Sequence, residues 1–223
     1  PAANHPKREF RAAWIQAVNG QFRGMPTDKL KQTLINQLNS LQGAGINAII
    51  FQVRPEADAL YASQYEPWSR FLTGVQGKVP EPYWDPMQFM IEECHKRGMA
   101  VILDIVFNQS DWLAPWYQMY GGGADNPFYN ATAPHDYSVL NDWNQDNPIV
   151  RRHWKDVLTY WLEAYKVDGF RFDLVKGLGS NSSYDSGTDA YNSSRVALMK
   201  ELNSSMRAVR PDVIPVSYTH LTL

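Results

Sequence analysis

Short apolar runs alternate along the chain with longer stretches in which apolar positions recur every three or four residues. Phe10 to Ile15 reads as a strand. Thr27 or Asp28 is then placed to cap a helix in which Leu30, Leu34, Leu38 and Leu41 share one face, and Gly43 and Gly45 end it. Asn47 to Val53 is almost continuously apolar, as expected for a strand buried on both faces of a parallel sheet. A polar, aromatic stretch from Arg54 to Trp84 follows. Asp85 next caps a helix with Pro86 at its first position, where the missing N–H costs nothing. Met87, Met90, Ile91 and Cys94 form its inner stripe and Gly98 stops it. Ala100 to Phe107 is a third strand. The segment from Asn108 to Asp146 is rich in Gly, Asn and Trp without a clear period, and loops of that length in compact domains are usually functional. Asn147-Pro148 opens a helix with the stripe Val150, Trp154, Val157, Trp161 and Tyr165. Gly169 to Val175 is a fourth strand. A polar loop leads to a helix carrying Val196, Met199, Leu202 and Met206, and Val213 to Val216 begins a fifth strand.

This alternation predicts an α/β fold of parallel strands with outer helices, because each parallel crossover needs a covering element. Units of roughly 40 residues fit an eight-fold barrel better than a doubly wound sheet. No Gly-x-Gly-x-x-Gly follows the first strand to support a dinucleotide fold, and no glycine-rich loop is present to cradle phosphates. The expected architecture is a partial (β/α)8 TIM barrel with about five of its eight β/α units.

The 223 residues are 44% hydrophobic, enough for a substantial core, and 21 Lys and Arg against 23 Asp and Glu leave a formal charge of -2. That balance offers no clustered positive charge for nucleic acid. A single cysteine, Cys94, excludes an internal disulfide and a Cys-based zinc site. No apolar run is long enough to span a membrane as a helix. The opening Pro-Ala-Ala-Asn-His has neither an initiator Met nor an apolar signal core, which predicts a processed chain or a fragment. Aromatic residues reach 13%, a surplus that suits the flat apolar faces of sugar rings or a large core equally well.

Side chains at the C-terminal ends of barrel strands, and in the loops after them, face one mouth. Those positions are Gln52, Arg54, Glu56 and Asp58 after strand two, Asp104, Asn108 and Gln109 after strand three, and Arg171, Asp173 and Lys176 on strand four. In Gly169-Phe170-Arg171-Phe172-Asp173, alternation puts Arg171 and Asp173 on one face. A guanidinium and a carboxylate inside a strand are costly to bury unless paired. Arg171 is therefore expected to favour the ionised form of Asp173. An ionised, desolvated carboxylate is what a retaining glycosidase uses as nucleophile. A plain ion pair closing a barrel layer has the same sequence signature.

The segment from about Met99 to Asp212 resembles glycoside hydrolase family 13, the α-amylase family. Asp104-Ile105-Val106-Phe107-Asn108 resembles its first conserved region and Gly169-Phe170-Arg171-Phe172-Asp173 its second, and the stretch from His135 to Asn144 is similar to its connecting segment. The resemblance implies a glycoside hydrolase acting on α-glucans by a retaining double displacement. On it, Asp173 matches the nucleophile, Arg171 the residue orienting it, Asp104 an aspartate shaping the sugar subsite, and Lys176 a substrate contact. Asn108 matches a position that often ligates a structural calcium, with a side-chain-capped turn as the alternative. Gln109, at a substrate-binding position, stands where the family commonly has His, and Gly177 where many members have His. The family's general acid is a Glu at the end of strand five, but Val213 to Leu221 carries no carboxylate, and Glu201 on the preceding helix is expected to face solvent. Glycoside hydrolysis by retention needs two carboxyl groups about 5 Å apart. The expectation is a glycosidase fragment inactive as written. The alternatives are a carbohydrate-binding protein without catalysis, stacking sugars on Trp68, Trp112, Trp116 and Trp143, or a partial barrel without function.

The first hundred residues are similar to the glycosyl-hydrolase-like 10 family, found largely in bacterial envelope proteins. The similarity lies in Lys7 to Ile15, Phe51 to Tyr61, Glu66 to Arg70 and Trp84 to Pro86. It implies that Arg54, Glu56, Trp68 and Arg70 face the mouth; the alternative is a surface ion pair of Arg54 with Glu56. The two resemblances meet at His95 to Met99. The expected division is residues 1–98, residues 99–214, and a tail 215–223 that resembles translated adapter sequence, which makes the chain a chimera of two barrel halves. The expected ligand is an oligo- or polysaccharide.

Overall fold

The structure, a computed structural model, describes residues 9–122, 125–136, 138–180 and 191–217. Lys7, Arg8, Tyr137 and the tail from Tyr218 onward, all invoked above, lie outside the described residues. In chain order the elements are β1 (Ala12–Ile15), α1 (Thr27–Gly43), β2 (Ala48–Phe51), α2 (Arg70–Thr73), α3 (Pro86–Lys96), β3 (Ala100–Ile105), β4 (Gln109–Ser110), α4 (Pro115–Tyr120), β5 (Asn141–Asp142), α5 (Pro148–Ala164), β6 (Gly169–Phe172), α6 (Ser193–Val209) and β7 (Ile214–Ser217), with a 3-10 turn at Val175–Gly177. The strand order β1-β2-β3-β6-β7 with helical crossovers is that of a partial TIM barrel, and β4 pairs separately with β5. The chain divides into two compact units, Pro1–Leu103 and Asp104–Leu223, so β3 begins in one and ends in the other.

In the first unit β1 runs parallel to β2 from Ala12↔Ala48 to Ile15↔Phe51, and β2 to β3 from Ala48↔Ala100. All four β2 residues are buried, which is why this stretch reads as an unbroken apolar run. Leu30, Leu34 and Leu38 of α1 are buried, as are Met87, Met90, Ile91 and Cys94 of α3. Asp85 caps α3 by accepting from the Gln88 N–H at 2.9 Å, and its second oxygen accepts from the Ala62 N–H at 2.8 Å. The cap of α1 differs from expectation. Pro26 holds that place without a side-chain bond, while the Thr27 hydroxyl turns toward the Glu81 and Pro82 carbonyls at 3.4 and 3.5 Å.

In the second unit the Asp173 N–H donates to the Ile105 carbonyl at 2.9 Å, and β6 runs parallel to β7 from Gly169↔Ile214 to Phe172↔Ser217. The long segment after β3 is ordered by a hairpin. Gln109 and Ser110 pair with Asp142 and Asn141, and the Trp143 N–H donates to the Asn108 carbonyl at 3.0 Å. Its aromatics make a small core: Tyr129 stacks on Trp143 with ring centroids 4.3 Å apart, and Trp116 meets Trp143 and Phe128 edge-on. Trp143 is therefore buried packing rather than a sugar platform, whereas Trp112 is half exposed.

Two helix stripes shift from those read in the sequence. The buried residues of α5 are Val150, Trp154, Leu158 and Leu162, each four apart, while Trp161 and Tyr165 pack on each other along its flank at 4.8 Å. Large aromatics imitate a core stripe because they pack sideways as well as inward. On α6 the buried set is Arg195, Leu198, Leu202 and Met206, displacing Val196 and Met199 by one position. Trp154 stacks flat on Phe107 at 4.7 Å. Glu201 does not simply face solvent: from α6 it pairs with Lys155 at 2.9 Å and Arg151 at 3.4 Å on α5. No helix among the described residues is long and apolar enough to cross a membrane.

Gly169 marks the tightest strand contact, since a Cβ there would lie 2.0 Å from the Ile214 carbonyl oxygen. Gly43 at the end of α1 meets nothing within 4 Å. Urea unfolding is expected to show Gly169→Ala less stable by about 3 kcal/mol. Gly43→Ala is expected to gain about 0.5 kcal/mol from helix propensity alone. Equal effects of the two substitutions would contradict the β6–β7 packing.

Candidate functional site

Five of the six β3 residues are at least half buried, and Asp104 is the one that opens to solvent. Every β6 residue is buried, Arg171 among them at 9% exposure. Alternation brings Arg171 to the same side as Asp173, one residue beyond the strand. A single guanidinium nitrogen, Nη1 of Arg171, lies 2.7 Å from Oδ1 of Asp104 and 2.8 Å from Oδ1 of Asp173. The two carboxylates are thus fixed side by side on one nitrogen. Their backbones are tied as well, through the Asp173 N–H to Ile105 O bond. Leu174 follows in the left-handed region at φ 41°, a strained conformation for a side chain of its size, and turns the chain into the 3-10 turn.

Burial pushes the Asp104 carboxyl above its ordinary value, against the opposing pull of Arg171, and the Asp173 charge adds to the rise. Burial works against the charged form of Arg171 too. There the hydrogen bond to Asp104 and the charges of both carboxylates outweigh it and raise its pKa.

Lys176 sits half buried in the turn after β6. Two residues that the sequence reading passed over hold that turn. Arg195, 3% exposed, donates to the Lys176 carbonyl at 2.6 Å and the Leu178 carbonyl at 3.1 Å. Gln145, fully buried, donates to the Gly177 carbonyl at 2.9 Å and accepts from the Gly179 N–H at 2.8 Å. The available signal was spacing, since Arg195 sits three residues before Leu198 on the face shared with Leu202 and Met206.

Asn108 is fully buried. Its Nδ2 donates to Oε1 of Gln109 at 2.9 Å, which commits Gln109 to this turn, while its Oδ1 has no partner. That oxygen faces Gly177, where a Cβ would fall 1.9 Å away. A side chain at position 177 would have to displace the Asn108 and His135 side chains, which would lie 1.9 and 2.9 Å from its Cβ. Nearby, Oδ1 of Asp142 accepts from Asn130 at 2.7 Å and Oδ2 lies 2.9 Å from Nε2 of His135; both side chains are essentially buried. Calcium takes six to eight oxygen ligands. Here both Asp142 oxygens and the Gly177 carbonyl already face nitrogen groups, and an imidazole occupies the position beside Asp142. No cluster of three or more His, Cys, Asp or Glu suited to a metal exists among the described residues. Of the oxygens gathered here, Asn108 Oδ1 alone has no hydrogen-bond partner.

In the first unit, described by itself, Arg54 and Glu56 do not pair with each other. Arg54 pairs with Glu66, which also accepts from the Tyr61 hydroxyl at 2.6 Å. Glu56 receives two bonds from Arg70, at 2.9 Å from Nε and 2.7 Å from Nη2. The bridge between Ala59 and Trp68 closes the intervening loop and sets these partners opposite one another. Asp58 is fully buried, with Oδ1 accepting from the Glu56 N–H at 3.1 Å. Trp68 is half buried and edge-on to Tyr83 at 6.2 Å. An open cleft of about 650 Å³ between β1 and α1 is lined by Trp14, Gln16, Asn19, Gln21, Asn36 and Gln37 among others, and none of the residues expected at a site lines it.

The chain matches the model of the family described as Glycosyl hydrolase-like 10 over residues 9–194, a span that runs past residues 98 and 99, where the two resemblances meet. It is 37% identical over 178 residues to Glycosyl hydrolase YngK of Bacillus subtilis, covering 77% of this chain and 30% of that one. It is 30% identical over 135 residues to the chloroplastic Isoamylase 1 of Arabidopsis thaliana, covering 57% of this chain and 17% of that one. Among solved structures, α-amylase from Geobacillus thermoleovorans superposes with a TM-score of 0.61 at 19% identity, over 95% of this chain and 47% of that chain. That likeness establishes the fold. The chain spans less than half the length of each of these proteins.

The raised Asp104 pKa has a consequence for stability. Asp104 holds its proton more tightly folded than unfolded, so its contribution is full below the ordinary carboxylate range and is lost as pH rises through the raised value. Relative to the parent, the melting temperature of Asp104→Asn is therefore expected to climb by about 1–3 °C between pH ~4 and neutral pH, on top of the constant loss set by the missing Arg171 contact. A difference that does not change with pH would contradict the raised value.

Proposed function

The chain belongs to the glycosyl hydrolase-like 10 family, and on that premise we propose that Arg171, Asp104 and Asp173 form the nucleophile side of a retaining glycosidase site for α-glucans. The observation that carries this reading is the Arg171 nitrogen shared by Asp104 and Asp173 where β3 and β6 end, the face of a parallel barrel on which active sites are built. In this reading Asp173 attacks the anomeric carbon, and Arg171 orients it and stabilises its charge. Asp104 accepts from ring hydroxyls, with Lys176 and Gln109 bordering the same subsite. The first unit, taken by itself, offers Arg54, Glu56 and Trp68 as glycan-contacting side chains. The similarity to an isoamylase supports an α-glucan, and the near-neutral net charge of -2 suits an uncharged polysaccharide.

Attack by Asp173 breaks the bond from the anomeric carbon to the leaving oxygen, which must receive a proton. Asp104 is bound to the same nitrogen as Asp173, so it stands beside the nucleophile rather than across the scissile bond from it. β7 reads Ile-Pro-Val-Ser and itself offers no carboxylate to deliver that proton. The chain as written therefore binds glucan without turning it over.

Calorimetry with maltoheptaose is expected to show saturable binding, weakened at least tenfold by Lys176→Ala, with no reducing sugar released from starch or maltooligosaccharides. Release of reducing sugar that disappears in Asp173→Asn would overturn the inactivity. Absence of binding to any α-glucan would overturn the substrate assignment.

A further inference from the structure

We propose that the cleft between β1 and α1 in the first unit is a second binding site, one that takes an uncharged oligosaccharide. Its lining comes from two stretches with a common peculiarity. In a chain with 20% charged residues, residues 16–22 and 32–43 carry none, although most of them reach the surface. A helix face that meets only water is ordinarily charged. Here Thr33, Asn36, Gln37 and Ser40, spaced three and four apart, put hydroxyls and amides on the flank of α1 beside its buried leucines. Gln16, Asn19 and Gln21, in the loop that follows β1, line the same cleft. Trp14 joins them from β1 with 47% of its surface exposed, an aromatic face of the kind on which a sugar ring stacks.

The polar groups are held in place before any ligand arrives. Gln52 Oε1 accepts from the Ala17 and Val18 N–H groups at 2.9 and 3.1 Å, and Asn19 Oδ1 accepts from the Gln21 N–H at 3.1 Å, which fixes the loop. Across the cleft, Gln37 Nε2 donates to Gln21 Oε1 at 3.0 Å, and Gln21 Nε2 donates in turn to the Gln16 carbonyl. Two groups are left over. Gln37 Oε1 has no hydrogen-bond partner, a cost that a donor from a ligand would remove. Asn36 accepts from Gln32 at 2.9 Å through Oδ1, which leaves its Nδ2 to donate. A sugar hydroxyl both donates and accepts, so it matches the pair. The cleft holds about 650 Å³, within the range of about 300–1,000 Å³ usual for ligand sites. Because none of its lining residues is ionisable, it favours neutral hydroxyl groups over phosphate or carboxylate. The site does not rest on the Arg171 reading, since it uses residues of the first unit alone.

Fluorine NMR of the 223-residue chain labelled with fluorotryptophan tests it. The Trp14 signal, identified by its loss in Trp14→Phe, is expected to move saturably with maltoheptaose or cellohexaose in the millimolar range. Asn36→Ala and Gln37→Ala are each expected to raise the midpoint about fivefold, the worth of one net hydrogen bond. Both place the best helix former inside α1, so the variants keep their fold. Lys176→Ala, which probes the second unit, is expected to leave the Trp14 response intact. A Trp14 signal unmoved by both sugars would overturn the site. So would a response that neither Asn36→Ala nor Gln37→Ala weakens. Loss of the response in Lys176→Ala would trace it to the second unit and overturn the site as well.

Discussion

A guanidinium buried in a parallel sheet must be matched by negative charge, and here one Arg171 nitrogen is matched twice, by Asp104 from β3 and by Asp173 from the end of β6. Much of the second unit follows from that constraint. It fixes the chain end of β6 against β3, reinforced by the Asp173 N–H to Ile105 carbonyl bond. It also places both carboxylates where they stay partly open to solvent, at 26% and 32% side-chain exposure, while the arginine beneath them is nearly covered at 11%. An Arg in this place is a positioning device with a chemical use. It holds Asp173 in one orientation and, on the proposed reading, keeps a cation under a carboxylate that would have to work as an anion.

The surroundings are arranged to keep that strand end in place. Arg195 and Gln145, from a helix and a loop distant in sequence, bind successive carbonyls of the turn that follows Asp173. The long loop on the other side is stabilised by its own aromatic core and by the pair His135–Asp142. Irregular backbone beside a site is therefore over-determined by buried polar bonds, which is how strain such as that at Leu174 is maintained.

The barrel class and the central residues were legible because their causes are local. Buried parallel strands read as apolar runs in β2 and β3, caps and prolines mark α3 and α5, and strict alternation pairs Arg171 with Asp173. What escaped depends on contacts between distant segments. Asp104 as the second partner of Arg171 comes from another strand. The swapped pairs Arg54–Glu66 and Glu56–Arg70 depend on how a loop folds back, which no spacing encodes. Arg195 was hidden because a buried arginine on a helix face looks like a surface residue until the carbonyls it serves are seen. Trp143, a sugar platform only in the alternative binding reading, turns out to be packing, because the sequence does not distinguish a tryptophan that stacks on Tyr129 from one that stacks on a sugar.

The central claim is that Asp173, held by Arg171, is a nucleophile lacking only its acid partner. α-Maltosyl fluoride tests that directly, because fluoride departs without needing a proton from the protein. Carboxylate attack would form a glycosyl ester at Asp173 and release fluoride, leaving an adduct that persists for want of a general base. Mass spectrometry of the treated chain is predicted to find one maltosyl group on the peptide containing Asp173, and none in Asp173→Asn. An unlabelled chain, or a label on any other residue, would contradict the account.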